Sequence, residues 1–599
     1  MYKQRPFFSI LSILFLGLFL TPACSNSDHN DHTDIFIRST QFGDVSGIVY
    51  ANNTIAWLGI PYAKAPVAAN GLRWKAPQDP DSWDGVLPSL RSVSECEPCS
   101  QMGAHPITWE YTDPIGSEDC LVLGIWRPNS NETNLPVYFW IHGGSNNYGG
   151  LFQIDGSIIA SSSHMVVVAI QYRLGPFGWL SHPSLRTDGA GNEKDDSGNF
   201  GTLDTLKALE WVRDNIKRFG GDPSNILIAG ESAGAHNVMN LILSPLATGL
   251  FHKALHQSEG MRLRTLATGE NNADMFISNL LAIDGLSEVP GGDTKAYLEG
   301  KTANEIVEGY WYSEPPSSSA FRDGYVIPDD TTVGTIGSGA YNNVPIILGC
   351  NKDEMKFYLP LQGPAVKKAY LYPGSGITEP IPSGLYTWMD SFMVLVSDLV
   401  SDSNLATKDT ITLDEVFPTQ ADRELYAACN AIGTLDSKVR SVDDFARALK
   451  AQENQRVYAY LLEWDGADGS DYQFALGAAH ATDLPFFFGM DTDIYGGVAF
   501  SPSNDTVGRQ ALSAAIMKYV DNFVRTGDPN GSDLPPWDEW SNIPDETKMI
   551  ELDATETALD IEMSTEEYTR SDVEALFWTL YFSLPESTRN ILFLFYRDS

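Results

Sequence analysis

Gly230-Glu231-Ser232-Ala233-Gly234 sets a serine hydroxyl among small residues. The spacing fits G-x-S-x-G, a nucleophile elbow in which serine occupies a sharp turn between a strand and a helix. A serine hydroxyl holds its proton too tightly to attack a carbonyl unaided. A histidine must take that proton, and a carboxylate must orient the histidine and stabilise the imidazolium. Around such an elbow the partners follow in the order serine, acid, histidine. Four of the ten histidines follow Ser232, namely His236, His252, His256 and His480. His236 lies one helical turn beyond the serine. His252 and His256 follow too soon to leave a strand and crossover for the acid. His480 remains as the candidate base, in the small-residue loop Gly477-Ala478-Ala479-His480-Ala481-Thr482-Asp483 ahead of Phe486-Phe487-Phe488.

These side chains need a scaffold. Ile226 to Ala229 is apolar and bounded by Gly221-Asp222-Pro223, which predicts a buried parallel strand. Ala235, Val238, Met239 and Ile242 recur at helical spacing and predict the helix after the elbow. Val344 to Cys350 predicts a second buried strand, followed by Asn351-Lys352-Asp353-Glu354. Carboxylates just past the carboxyl end of a strand stand where open α/β sheets build their sites. Spacing alone leaves Asp353 and Glu354 equal as the acid.

With these motifs in view, the chain resembles the type-B carboxylesterases, the family of cholinesterases, bacterial para-nitrobenzyl esterases and fungal lipases. The resemblance runs from about Gly43 to Trp578. It rests on Gly59-Ile60-Pro61-Tyr62-Ala63, Leu72-Arg73-Trp74, Ser117-Glu118-Asp119-Cys120-Leu121, Trp140-Ile141-His142-Gly143-Gly144, Tyr172-Arg173-Leu174-Gly175, Gly198 to Asp204, Phe219 to Pro223, the elbow, and the Glu354 and His480 segments. It implies an α/β-hydrolase fold: a central, mostly parallel sheet flanked by helices, with long helical insertions capping the site. It implies Glu354 as the acid, ion pairs Arg73–Glu118 and Arg173–Asp204, and a Cys99–Cys120 disulfide near the site entrance. Gly144, Ser145 and Ala233 match the oxyanion donors, whose backbone N–H groups face the carbonyl oxygen as it gains charge. Three positions depart from the family pattern: Ser145 for the usual third glycine, Met355 for the glycine after the acid, and Glu259 for the glycine after Gln257-Ser258. Ser258 is expected to support the triad from behind.

The organisation follows. Lys3 and Arg5 precede an apolar run, Phe7 to Leu20, and then Thr21-Pro22-Ala23-Cys24, the pattern of an export signal. The run is too short for a spanning helix. The expected division is a signal over 1–23, a polar linker over 24–38, and one α/β-hydrolase domain over 39–599. Cys24 resembles a bacterial lipidation cysteine, which places the protein in the cell envelope; ordinary cleavage would release it to the periplasm or medium. Segments 265–320 and 360–460 carry helical patterning and are expected to cap the site. Tyr310-Trp311-Tyr312 is a candidate for its mouth, and Trp109, in the Cys99–Cys120 loop, for a cationic group. Cys96, Cys350 and Cys429 have no assigned partners. The apolar stretch Ile591 to Tyr596 is expected to pack on the core or on a partner chain.

Lys and Arg number 39 against 78 Asp and Glu, a net charge of −39, with an isoelectric point near 4.4. That balance opposes nucleic acid and anionic membranes as partners of the body of the protein, leaving the membrane only through an N-terminal lipid. The resulting reading is a serine carboxylic-ester hydrolase acting through an acyl-enzyme on small to medium esters, with no cofactor and no metal. Lipase and cholinesterase-like activities are alternatives within the class. A catalytically silent binding protein is the alternative outside it, although all three triad positions are filled.

Overall fold

The computed structural model describes residues 35–104, 111–187, 191–260, 263–312, 318–361, 417, 419–466, 471–491 and 506–598. The expected signal, Cys24, most of the linker and Trp109 lie outside the described residues. Phe36–Ser599 form one compact unit.

Its centre is an eleven-stranded sheet. The strands are β1 (Ile48–Tyr50), β2 (Thr54–Pro61), β3 (Val122–Pro128), β4 (Leu135–Ile141), β5 (Val166–Ile170), β6 (Gly221–Glu231), β7 (Lys253–Gln257), β8 (Ile346–Asn351), β9 (Val457–Leu462), β10 (Met549–Ala554) and β11 (Leu559–Ser564). Across the sheet they run β11-β10-β9-β8-β7-β6-β4-β5-β3-β2-β1. From β5 through β10 every neighbouring pair is parallel, and the outer pairs are antiparallel. The central strands β4 and β5 are apolar throughout because both faces are covered. In β4, Val137, Phe139 and Ile141 join one core layer while Tyr138 and Trp140 join the opposite one.

The predicted elements around the elbow form: β6 leads into it, and α1 (Ala233–Leu243) leaves it. Short α2 (Met355–Leu361) follows Glu354, and α3 (Gln420–Lys438) crosses behind it. Two C-terminal helices, α4 (Arg570–Ser583) and α5 (Glu586–Asp598), close the chain. Leu592 and Phe595 of α5 are buried and Phe593 is exposed, so the apolar C-terminal stretch packs on the core through part of its length. Among the described residues no helix is long and apolar enough to cross a membrane.

Both expected ion pairs form. Arg73 grips Glu118 through Nε at 2.7 Å and a terminal nitrogen at 2.5 Å. Arg173 does the same to Asp204, at 2.8 Å twice. Such two-pronged pairs satisfy charges that burial would otherwise leave costly. Cys99 and Cys120 are disulfide-bonded, whereas Cys96, Cys350 and Cys429 are buried free thiols.

Candidate active site

The elbow is made by steric necessity. A Cβ on Gly234 would run into the carbonyls of Ile141 and His142, and one on Gly230 into the backbone of Gly234. Glycine at 230 lets α1 turn so sharply off β6, and glycine at 234 lets α1 lie against the end of β4. Ser232 between them has φ 54° and ψ −128°, a strained conformation for a residue with a side chain, costing about 1–3 kcal/mol. Its N–H donates to the Gln257 carbonyl at 2.9 Å, and its carbonyl accepts from His236 N–H at 3.0 Å. The turn is therefore pinned from β7 on one side and by the helix on the other.

The loop after β4 lies directly against this turn. A Cβ on Gly143 would stand 3.2 Å from Ser232 Cβ and 2.8 Å from the Glu231 carbonyl. Gly144 and Ser145 follow with φ of 105° and 55°. Ser145 thus occupies a left-handed backbone position that explains why glycine is usual there. Ala233 is the first residue of α1, and the first N–H groups of a helix have no partner within it. The loop is braced by Tyr172, whose hydroxyl donates to the His142 carbonyl at 2.6 Å. Gln101, close to the disulfide, braces it too: it accepts from Gly149 N–H at 2.8 Å and donates to the Gly149 carbonyl at 2.9 Å.

Glu354 follows β8, and His480 lies in the loop after β9. Glu354 Oε2 stands 2.5 Å from His480 Nδ1, while its Oε1 accepts the Asn351 N–H at 2.8 Å. Asp353, the other candidate acid, turns away. It accepts from Asn430 on α3 at 2.8 Å, pairs with Lys356 at 3.1 Å, and accepts the Ala478 N–H at 3.3 Å. Asn351 donates to the Ala479 carbonyl at 2.9 Å. The pair Asp353 and Asn351 thereby grips the loop that carries His480. Phe357 and Tyr358 of α2 lie against the imidazole, with ring centres 5.7 and 4.9 Å away.

The other imidazole nitrogen, Nε2, stands 3.0 Å from Glu231 Oε1. Glu231 belongs to the elbow motif, where the residue before the serine has no role fixed by spacing. Its adjacency to the serine was the available signal. Burial by itself disfavours the imidazolium, yet Glu231, Glu354 and Glu259 outweigh it and hold the His480 proton more tightly than an ordinary imidazole does. Burial raises Glu231, with Asp483, Glu354 and Glu259 adding to the rise and His480 opposing it. The neighbouring histidines behave oppositely. Burial pulls His142 down to about 4 and His256 to about 3, so both stay neutral near pH 7. Ser258, expected behind the triad, is buried at φ 60°, and among the described residues its Oγ has no hydrogen-bond partner. Tyr310 is buried, and its hydroxyl is 2.8 Å from Ser318 Oγ. Among the described residues no group of three or more His, Cys, Asp or Glu is arranged to hold a metal ion.

A family model described as the carboxylesterase family matches residues 35–571. The chain is 36% identical over 534 residues to the para-nitrobenzyl esterase of Bacillus subtilis (strain 168), covering 87% of this chain and 95% of that protein. It is 31% identical over 518 residues to a human cocaine esterase, covering 84% and 85%. A crystal structure of a Geobacillus stearothermophilus carboxylesterase superimposes with a TM-score of 0.64 at 27% identity, covering 90% of this chain and 99% of that one. A serine elbow at the carboxyl edge of a parallel sheet, a loop of backbone donors beside it, and this extent of similarity lead to one conclusion: the chain belongs to the carboxylesterase family and is an ester-hydrolysing enzyme of the α/β-hydrolase fold.

Proposed function

We propose that Ser232 attacks the ester carbonyl, His480 takes its proton and returns it to the leaving alcohol, and Glu354 orients His480. The N–H groups of Gly144, Ser145 and Ala233 receive the oxyanion, and water then cleaves the acyl-enzyme by the same steps in reverse. The observation that carries this reading is the 2.5 Å Glu354–His480 contact beside a serine held at an elbow. Every step uses protein groups alone, so no cofactor is needed. The substrates proposed are small to medium esters, in keeping with relatives named para-nitrobenzyl esterase and cocaine esterase. Release of para-nitrophenol from a short-chain ester is the test. Ser232→Ala and His480→Ala should each lose about 10⁴-fold or more in kcat, and the double variant little beyond that, because the residues act as one unit. Near-normal turnover by folded Ser232→Ala would sink the mechanism. A panel of acyl lengths and cationic alcohols separates plain esterase from lipase and cholinesterase-like activity.

The proposed address is the cell envelope, with residues 1–23 removed and Cys24 lipidated. A lipid-modified N-terminus would supply ample apolar area for stable attachment. Cys24→Ser should move the protein from the membrane to the soluble fraction, and an unmodified mature N-terminus at another residue by mass spectrometry would reject lipidation.

A further inference from the structure

Gln257 ends β7 and serves two elements at once. Its carbonyl accepts the Ser232 N–H at 2.9 Å, and its side-chain Nε2 donates to Asp483 Oδ2 at 2.9 Å. Asp483 lies three residues beyond His480. The same Oδ2 accepts a 2.6 Å hydrogen bond from the Tyr460 hydroxyl, which rises from β9. Tyr460 reaches it because its partner across the sheet is Gly349 of β8, where any Cβ would collide with the tyrosine ring. All three side chains of this knot are fully buried.

Helix capping does not account for the carboxylate. Asp483 is the N-cap of the short helix Leu484–Phe488, a place where aspartate normally accepts from the first N–H groups of the helix. Here its side chain makes no capping bond. Only its backbone carbonyl holds the turn, accepting from Phe486 and Phe487. The carboxylate is aimed the other way, at Gln257 and Tyr460, and among the described residues its Oδ1 has no hydrogen-bond partner. A buried carboxylate is costly unless its partners compensate.

We propose that Asp483 is a positioning residue that sets the distance between nucleophile and base, by tying the histidine loop through Gln257 to the backbone of the serine elbow. Asp353 and Asn351 hold the front of that loop at residues 478 and 479, and Asp483 holds its back. Its carboxylate is engaged by Gln257 and Tyr460. Its effect falls on the alignment of Ser232 and His480, where a displacement of about 1 Å can cost on the order of 10²-fold in rate.

The inference rests on the Ser232–His480 mechanism, so the experiment keeps the two apart. Wild type, Ser232→Ala, Asp483→Ala, Asp483→Asn, Gln257→Met and Asp483→Ala/Gln257→Met are compared by steady-state kinetics on a short-chain para-nitrophenyl ester. Circular dichroism and melting curves report folding. Asp483→Ala should lower kcat by about tenfold to 10²-fold while KM changes less than about twofold, because alignment and not substrate contact is lost. Asp483→Asn, which keeps an acceptor of the same shape, should recover most of the loss. Gln257→Met should lower kcat in the same way, and the double variant should lose little beyond the worse single variant, since both cut one tie. If Asp483→Ala does not fold, Gln257→Met, which cuts the same tie, carries the kcat test, with Asp483→Asn expected to stay near wild type. The proposal is overturned by unchanged kcat in folded Asp483→Ala or Gln257→Met, by a loss confined to KM, or by additive losses in the double variant. Activity retained by Ser232→Ala would instead overturn the mechanism beneath it.

Discussion

Replacing Glu231 with glutamine should move the acid limb of kcat/KM to lower pH. The amide keeps the shape of the side chain and removes a charge standing 3.0 Å from His480 Nε2. At an effective dielectric of about 20, two unit charges about 4 Å apart interact by about 4 kcal/mol. One pH unit corresponds to about 1.4 kcal/mol, so a fully ionised Glu231 could hold the histidine proton by as much as about three pH units. Glu231 is itself raised by burial and by its acidic neighbours, so its charge is partial near neutrality and the observed change should be smaller, about one to two pH units. The sign follows from what His480 must do. It works as a base only when neutral. A carboxylate beside it favours the protonated ring, so wild type should reach full activity only well above the ordinary imidazole value of about 6.5. Removing Glu231 releases that proton earlier. His142 and His256, neutral already, cannot produce the limb. The assay is kcat/KM from pH 5 to 10 on a neutral soluble ester, corrected for spontaneous hydrolysis, with circular dichroism at each end of the range. An acid limb that stays put in Glu231→Gln, or moves upward, would refute the argument that Glu231 sets the basicity of His480.

Two further outcomes follow from the loop beside the serine. Gly144→Ala should abolish turnover by at least about 10²-fold, the scale of losing an oxyanion donor, because its Cβ would collide with the Tyr148 carbonyl at a φ of 105°; Ser145→Gly, which relieves a left-handed serine, should keep activity and raise stability by up to about 1 kcal/mol in thermal unfolding. Cys99→Ser with Cys120→Ser opens a loop with a sequence separation of 21 and should cost about 3 kcal/mol in denaturant unfolding. It should also lower kcat, because Gln101 bonds the disulfide segment to Gly149 of the oxyanion loop; unchanged stability would show that the bridge does not constrain the unfolded chain.

Ser232, His480 and the strand before Glu354 could be read from the chain because each is announced by residues a few positions away: two glycines that a sharp turn requires, a small-residue loop, and an apolar run ending in carboxylates. The choice of Glu354 over Asp353 could not be made that way. Both side chains leave the same turn, and which one meets His480 depends on the loop after β9 lying beside the end of β8, a neighbour relation among strands distant in sequence. The roles of Glu231, Gln257 and Asp483 depend on the same relation. β6, β7, β8 and β9 lie side by side in that order, so their carboxyl ends bring residues from 231 to 483 within hydrogen-bonding reach. The charge around His480 depends on it as well. Sequence alone leaves the balance open, because a paired carboxylate raises the proton affinity of a histidine and burial lowers it. Packing adds Glu231 on Nε2 and Glu259 nearby, and the balance goes to the carboxylates. The motif therefore identifies the reacting groups, whereas the strand order decides how strong a base His480 is and how firmly it is held against Ser232.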